Sequence, residues 1–553
     1  MKRYLSLLFF LFSISCFAQN NFRGGEYIHH AGECVPQSEY TRIHQMLSEN
    51  IQMLRAKGLL AQNARNTLEY SWPLRQADGF SYNEIYGISN FVDHNEEYSS
   101  SDTPSTITDY NCQSRSYDTG DGYNHAGTDY FTWPFGWKMM ADKHAEIIAI
   151  ADGTIIGKDD GNHDENCTFN GDTWNALYVL HEDNSVSWYG HMKKNSLTTK
   201  DIGESVVAGE YLGVIGSSGN STGPHLHLEI YKNGNLIDPY SGTCNPTIIE
   251  SCWEEEKPYR EPSINTILTH NADPNFLDCP SPTQSIENHN IQNCFLAGQA
   301  VYFAAYYHDQ IAGLLAQYRV IMPNGTIFQN WQHASPETYN ASYWYWWWTL
   351  PSNAMSGIWT FEVKFGGETV THEFSVGNVL ATSISGPITP EPLTSITYST
   401  SNQNGFTYEW TIENGTILDG QGTSEVMVEW EDLSEGEICV TNINATDCIS
   451  TASCLMVDIV AVHINEAKIL NSLEIAPNPN NGQFTIILEW GRTAENINIQ
   501  LLNTAGQEVQ EIFSGDILEG RQGFFVNWPL AAGVYLLIIQ GLEIIETQKI
   551  VVP

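Results

Sequence analysis

From about residue 70 to the C-terminus, short runs of β-branched and aromatic residues alternate with Gly, Asn, Asp and Pro. Runs of that length, closed by turn-forming residues, cannot supply the long apolar stripes of a helical core and read as β-sheet domains. One stretch breaks the rhythm. Residues 37–65 (QSEYTRIHQMLSENIQMLRAKGLLAQNAR) place Ile43, Met46, Leu47, Ile51 and Leu54 at three- and four-residue steps, which predicts one long helix near the N-terminus. The expected fold class is therefore mainly β.

A chain of 553 residues exceeds what one hydrophobic core serves, so several domains are expected. Pro-containing polar breaks fall near 254–264 (EEEKPYREPSI), 377–392 (GNVLATSISGPITPEP) and 463–472. They divide the chain into an N-terminal region (19–110, helical then mixed), a first β domain (111–245), and three smaller β units (262–378, 379–462 and 469–553). The unit 262–378 holds six consecutive aromatics, Tyr343 to Trp348. On a strand, Tyr343, Tyr345 and Trp347 share one face and Trp344, Trp346 and Trp348 the other. A sandwich strand with both faces covered is favoured over an exposed aromatic platform for sugar or peptide. The unit 379–462, with FTYEWTIENG and EICVTN, looks like an immunoglobulin-like or PKD-like module.

The opening MKRYLSLLFFLFSISCFAQN sets Lys2 and Arg3 before an apolar run and then small residues, a secretory signal with cleavage expected after Ala18. The run is too short for a membrane span, Ser13 argues against a lipid anchor on Cys16, and no later segment predicts a transmembrane helix in the mature chain. Lys and Arg number 24 against 65 Asp and Glu, a formal charge of −41, which argues against nucleic acid or an anionic membrane as the main partner. Ten cysteines remain after the signal, an even number suited to disulfides in an exported protein. The close pairs Cys244 with Cys252 and Cys279 with Cys294 are the expected bridges; the others are unassigned.

Chemistry concentrates in three fragments. In YNHAGTDYF, His125 and Asp129 lie four residues apart and, in an extended segment, point the same way. In STGPHLHLEIY, His225 and His227 share one strand face and Leu226 and Leu228 the other. VSWYGHMKK brings His191 at the end of a third strand pattern. Imidazole and carboxylate suit zinc, and a catalytic zinc takes three protein ligands with an open fourth position. Five candidates exceed three ligands, so two histidines remain for proton transfer and transition-state stabilisation. There is no HExxH, GxSxG or Walker-type loop.

Together with IIAIADGTIIG, VVAGEYLGVIGSSGNSTG and LIDPYSG, these fragments resemble the lysostaphin-type (LytM-like) zinc metalloendopeptidases from about Tyr123 to Pro239. The resemblance implies an antiparallel β-sheet peptidase domain with one zinc ion held by His125, Asp129 and His227, and His191 and His225 as catalytic histidines. It implies a secreted enzyme that hydrolyses peptide bonds with a zinc-activated water, in peptidoglycan cross-links or Gly-rich proteins. Non-catalytic wall binding or adhesion on the same fold is the alternative. The segment 158–175 (KDDGNHDENCTFNGDTWN) is longer than a minimal turn and is expected to reshape the substrate groove. His144, His163 and His181 match no motif position and read as surface or loop residues. Residues 19–110 are expected to pack beside the sheet; the alternative, which the resemblance suggests, is a pro-segment in which Asn90 or Asn95 blocks the zinc.

The last stretch, LEIAPNPNNGQFTI, INIQLLNTAGQEV, AAGVYLLIIQG and QKIVVP, reads as a small β-sandwich. It resembles the C-terminal sorting domain of the Bacteroidetes type IX (Por) secretion system. That likeness implies the type IX machinery as a partner and a secreted or cell-surface location.

Overall fold

The computed structural model describes residues 22–28, 35–60, 68–95, 107–118, 123–281, 287, 289–460, 469–542 and 544–553. The expected signal segment and Cys34 lie outside these residues. Among them two helices stand against thirty-three strands, so the chain is mainly β.

The long helix spans Gln37–Ala56 and buries Tyr40, Ile43, Leu47 and Leu54, the stripe its spacing predicts. It stops short of residue 65 because the Leu59 N–H bonds back to the Leu54 carbonyl at 3.0 Å, closing the last turn. The stripe packs on Ile156, Tyr178 and Trp188 of the central sheet.

That sheet has eight strands. Along its main path the order is Tyr86–Asn90, Thr128–Thr132, His225–Lys232, Ser185–Gly190, Ala176–His181, Gly153–Asp159 and Ser205–Val206, with Asn235–Ile237 paired to the His225–Lys232 strand. Every pairing is antiparallel. Its first face sends Leu177, Val179, Leu226 and Leu228 into a core with Ile147, Leu212 and Tyr240. Its second face lies partly under the long helix, so the middle strands are buried on both sides. Leu74–Gln76 pairs with Ala145–Ile148 in a small neighbouring sheet, and Phe22–Glu26 pairs with Ala341–Thr349 of the following unit. Strands from the first 90 residues are thus woven into both units that follow.

The aromatic run lies on the Ala341–Thr349 strand and alternates as expected. Trp344, Trp346 and Trp348 enter the sandwich core with Trp359 and Phe361. Tyr343, Tyr345 and Trp347 face Phe131, Trp133, Phe135 and Phe276. The second face is therefore covered largely by the DYFTWPF segment, residues 129–135, of the preceding unit. The next module packs two three-stranded sheets around Trp410, Trp430 and Val440. The last packs a three- and a four-stranded sheet around Ile486, Ile499 and Leu537.

The expected disulfides are overturned. Among the described residues the bridges are Cys112–Cys244, Cys167–Cys279, Cys294–Cys448 and Cys439–Cys454, and Cys252 is bridged to none of them. Nearness in sequence misled because two bridges tie separate units: Cys167–Cys279 joins the 158–175 loop to the segment after the first sandwich strand, and Cys294–Cys448 joins the sandwich to the module behind it.

Candidate active site

The strand register lines up the chemistry. Asp129 sits opposite Asn90 on one side and His227 on the other, and His227 sits opposite Gly190, the residue before His191. One row across four strands thus gathers the three sequence fragments. Two glycines make the row possible. A Cβ on Gly127 would lie 2.8 Å from the His227 ring, and one on Gly190 would lie 2.2 Å from the Trp174 ring. His191 then takes a left-handed backbone, φ 56°, and turns out of the strand end.

His125, Asp129 and His227 are buried and offer ligand atoms that all lie within 4.8 Å of one another. His125 Nε2 stands 3.0 Å from Asp129 Oδ2, His227 Nδ1 stands 2.7 Å from Asp129 Oδ1, and the two ring nitrogens are 3.3 Å apart. The far nitrogen of each ring is already engaged. His125 Nδ1 donates to the Phe91 carbonyl at 2.7 Å, and His227 Nε2 donates to Glu229 at 2.8 Å. Those bonds select the tautomers whose remaining lone pairs face the cluster. Two imidazoles and one carboxylate, converging with their outer nitrogens tied, form a donor set that fits zinc. Burial pushes the Asp129 carboxyl up, but the His125 and His227 imidazoles outweigh it and hold the group well below its usual range.

His225 and His191 stand beside this cluster rather than in it. Their ring centroids are 4.3 Å apart, and His225 Nε2 lies 3.8 Å from Asp129 Oδ1. His191 Nδ1 donates to the Ser218 carbonyl at 2.6 Å and His225 Nδ1 to the Gly223 carbonyl at 2.8 Å. Each ring is oriented by a backbone acceptor, which leaves Nε2 as the working nitrogen. All five residues expected to carry chemistry are brought together.

Other neighbours were not legible from motif spacing. Trp174, within the 158–175 segment, meets His191 edge-on at 5.3 Å, and Tyr117 packs over His125 at 4.5 Å. The length of that loop was the available signal for Trp174. Asn90 donates to Asp129 Oδ2 at 3.2 Å, whereas the Asn95 carbonyl accepts from Asn124. His163 is exposed as expected. His144 is a loop residue as expected, but a buried one, 3.7 Å from the Phe80 ring centre, and burial lowers it to about 4; His181 is neither surface nor loop, since it ends the Ala176–His181 strand and bridges the Asp152 carbonyl and Ser187.

Residues 134–239 match Peptidase family M23, a span that contains His191, His225 and His227 and begins just after Asp129. Residues 378–457 match a PKD-like domain, and residues 474–553 match a secretion system C-terminal sorting domain. A peptidoglycan DD-endopeptidase, ShyC, of Vibrio cholerae is 32% identical over 121 residues, 22% of this chain and 23% of that protein. The murein hydrolase activator EnvC of Escherichia coli is 31% identical over 111 residues, 19% and 22% of the two chains. The glycyl-glycine endopeptidase ALE-1 of Staphylococcus capitis is 28% identical over 124 residues, 22% and 29%. The aligned part spans less than a third of each of these relatives. The chain thus carries a LytM-like peptidase M23 domain and a type IX sorting domain, and the latter marks it for export to the cell surface or beyond. No described helix is long and apolar enough to cross a membrane.

Proposed function

We propose that this chain is a zinc-dependent endopeptidase that cuts peptide bonds in peptidoglycan, with His125, Asp129 and His227 as ligands to one ion. The observation that carries the reading is the completeness of the constellation: three convergent donors, and beside them two imidazoles oriented by backbone carbonyls. Zinc in that position supplies Lewis acidity toward the scissile carbonyl and activates water. His191 and His225 do the remaining work. With Nδ1–H held by a carbonyl, each neutral ring accepts a proton at Nε2. The same carbonyl steadies the imidazolium, so Nε2 can return the proton to the leaving amine or donate to the oxyanion. Trp174 walls one side of His191 and keeps its ring from turning. The names of the relatives favour cell-wall cross-links as the substrate, with Gly-rich peptides next.

The test is mass spectrometry of fragments released from purified peptidoglycan and from a Gly-rich protein by the zinc-loaded full chain. Peptide-bond cleavage products from peptidoglycan are expected. Stoichiometric zinc with no cleavage of either substrate would leave a wall-binding or activating role, as in the relative named an activator.

A further inference from the structure

The strand HLHLEIYK writes four polar side chains at two-residue steps on one face: His225, His227, Glu229 and Tyr231. Glu229 is fully buried, and a carboxylate without water is costly unless its oxygens are satisfied. Three donors satisfy it. His227 Nε2 and the Tyr40 hydroxyl approach Oε1 at 2.8 and 2.6 Å, and the Tyr231 hydroxyl approaches Oε2 at 2.6 Å. Tyr40 arrives from the long helix, 189 residues away in sequence and outside the span that matches the peptidase family. Burial and the neighbouring Glu229 charge raise the Tyr40 hydroxyl well above its usual range, so it stays a donor.

We propose that Glu229 is the positioning residue of the zinc site, and that Tyr40 of the N-terminal helix, with Tyr231, sets its strength by orienting that carboxylate. The proposal rests on the reading of His227 as a ligand. Its physical content has two parts. Glu229 accepts the Nε2 proton of His227, so the Nδ1 lone pair is available on the side of His125 and Asp129, and the imidazole becomes a stronger base. A divalent cation against the buried carboxylates of Asp129 and Glu229 also sums to zero charge, so Glu229 is the countercharge that Asp129 alone does not supply. The two tyrosines keep Glu229 turned to His227 when it could otherwise rotate. On this reading the N-terminal helix is a standing part of the metal site.

The experiment compares the full chain with Glu229→Gln, Tyr40→Phe, their double variant and His227→Ala, reading zinc dissociation by competition with a chromophoric chelator and the visible spectrum of the cobalt-substituted protein. Zinc binding should weaken about 10- to 100-fold in Glu229→Gln and roughly two- to tenfold in Tyr40→Phe. The effect of Tyr40→Phe should vanish in the Glu229→Gln background, which a merely structural role in packing the helix would not produce. Altered cobalt bands in Glu229→Gln would report a changed His227 bond. If Glu229→Gln does not fold, Tyr40→Phe, which removes one oxygen, still decides. Wild-type zinc affinity in Tyr40→Phe and Glu229→Gln, with zinc lost in His227→Ala, overturns the proposal and leaves the ligand reading standing. Zinc retained in His227→Ala overturns both.

Discussion

The eight-stranded central sheet and the C-terminal sandwich are both antiparallel with apolar cores, yet the central sheet buries charged groups as well. Around the central sheet Asp129, Glu229, Asp238 and four histidines of the three fragments are withdrawn from water, each with a named partner. Among the described residues of the last unit, Asn480 is the one buried polar side chain, and the core is Phe484, Ile486, Leu488, Ile499, Leu537 and Ile539. The central sheet also borrows. It takes the Tyr86–Asn90 strand and the long helix from outside the family span, and it rests Phe131 and Trp133 on the neighbouring sandwich. No described strand of 469–553 pairs with a strand outside that unit. Buried charge holds its place only while its partners do, so a site of this kind needs support from distant chain, whereas an aliphatic sandwich is complete in itself.

The contrast is broken most directly at Asp129. Replacing it with Ala removes the one anionic member of the ligand set and leaves two imidazoles with nothing opposite them. Asp129→Ala should lose zinc and activity together, with zinc content by mass spectrometry as the check. Full occupancy in that variant would mean the metal sits elsewhere.

A smaller effect is expected one step away from the ligands. His191→Ala and His225→Ala should keep near-stoichiometric zinc and the native fold while turnover falls about 10²- to 10⁴-fold. Measuring metal content and kcat on the same preparations separates the roles. A metal-free His225→Ala would make that histidine a ligand, and unchanged kcat in both would end the proton-transfer assignment.

How much of this could be read beforehand follows the same divide. Period-two patterning is local, so the HxH strand with His225 and His227 on one face and the split of Tyr343 to Trp348 between two faces were both legible. The gathering of His125, Asp129 and His191 with them needed the motif set, because register between strands is a tertiary fact. What spacing could not carry was long-range. The Cys167–Cys279 and Cys294–Cys448 bridges, the reach of Tyr40 to Glu229, and the burial of His144 under Phe80 depend on how distant segments pack. A helix that reads as ordinary amphipathic from its stripe also hides one hydroxyl with a distant task.

The sorting unit provides the converse test. Ile499 is wholly buried in its core, so Ile499→Ala should destabilise that unit by about 2 to 5 kcal/mol through lost transfer energy and the cavity left behind. Chemical denaturation followed by limited proteolysis of 469–553 would read it. Zinc affinity should not change, and a loss of zinc in this variant would show a coupling that the strand pairing does not contain.

The smallest expected effect on the site comes from the largest cut. Removing 469–553 deletes a unit whose seven described strands pair only with one another, in sheets of three and four, and exposes no described strand edge of the central sheet. Independent sites without shared partners combine additively, so kcat/KM and zinc affinity of the truncated chain should stay within about twofold of the full chain. Export should fail in the same variant, because the sorting domain is the part removed, and the protein should accumulate inside the cell envelope of a type IX host with its peptidase intact. Fractionated activity assays separate the two outcomes. Normal release would reject the sorting role of this unit, whereas loss of activity in the purified truncation would mean that the tail supports the site and that the separation drawn between the two regions is wrong.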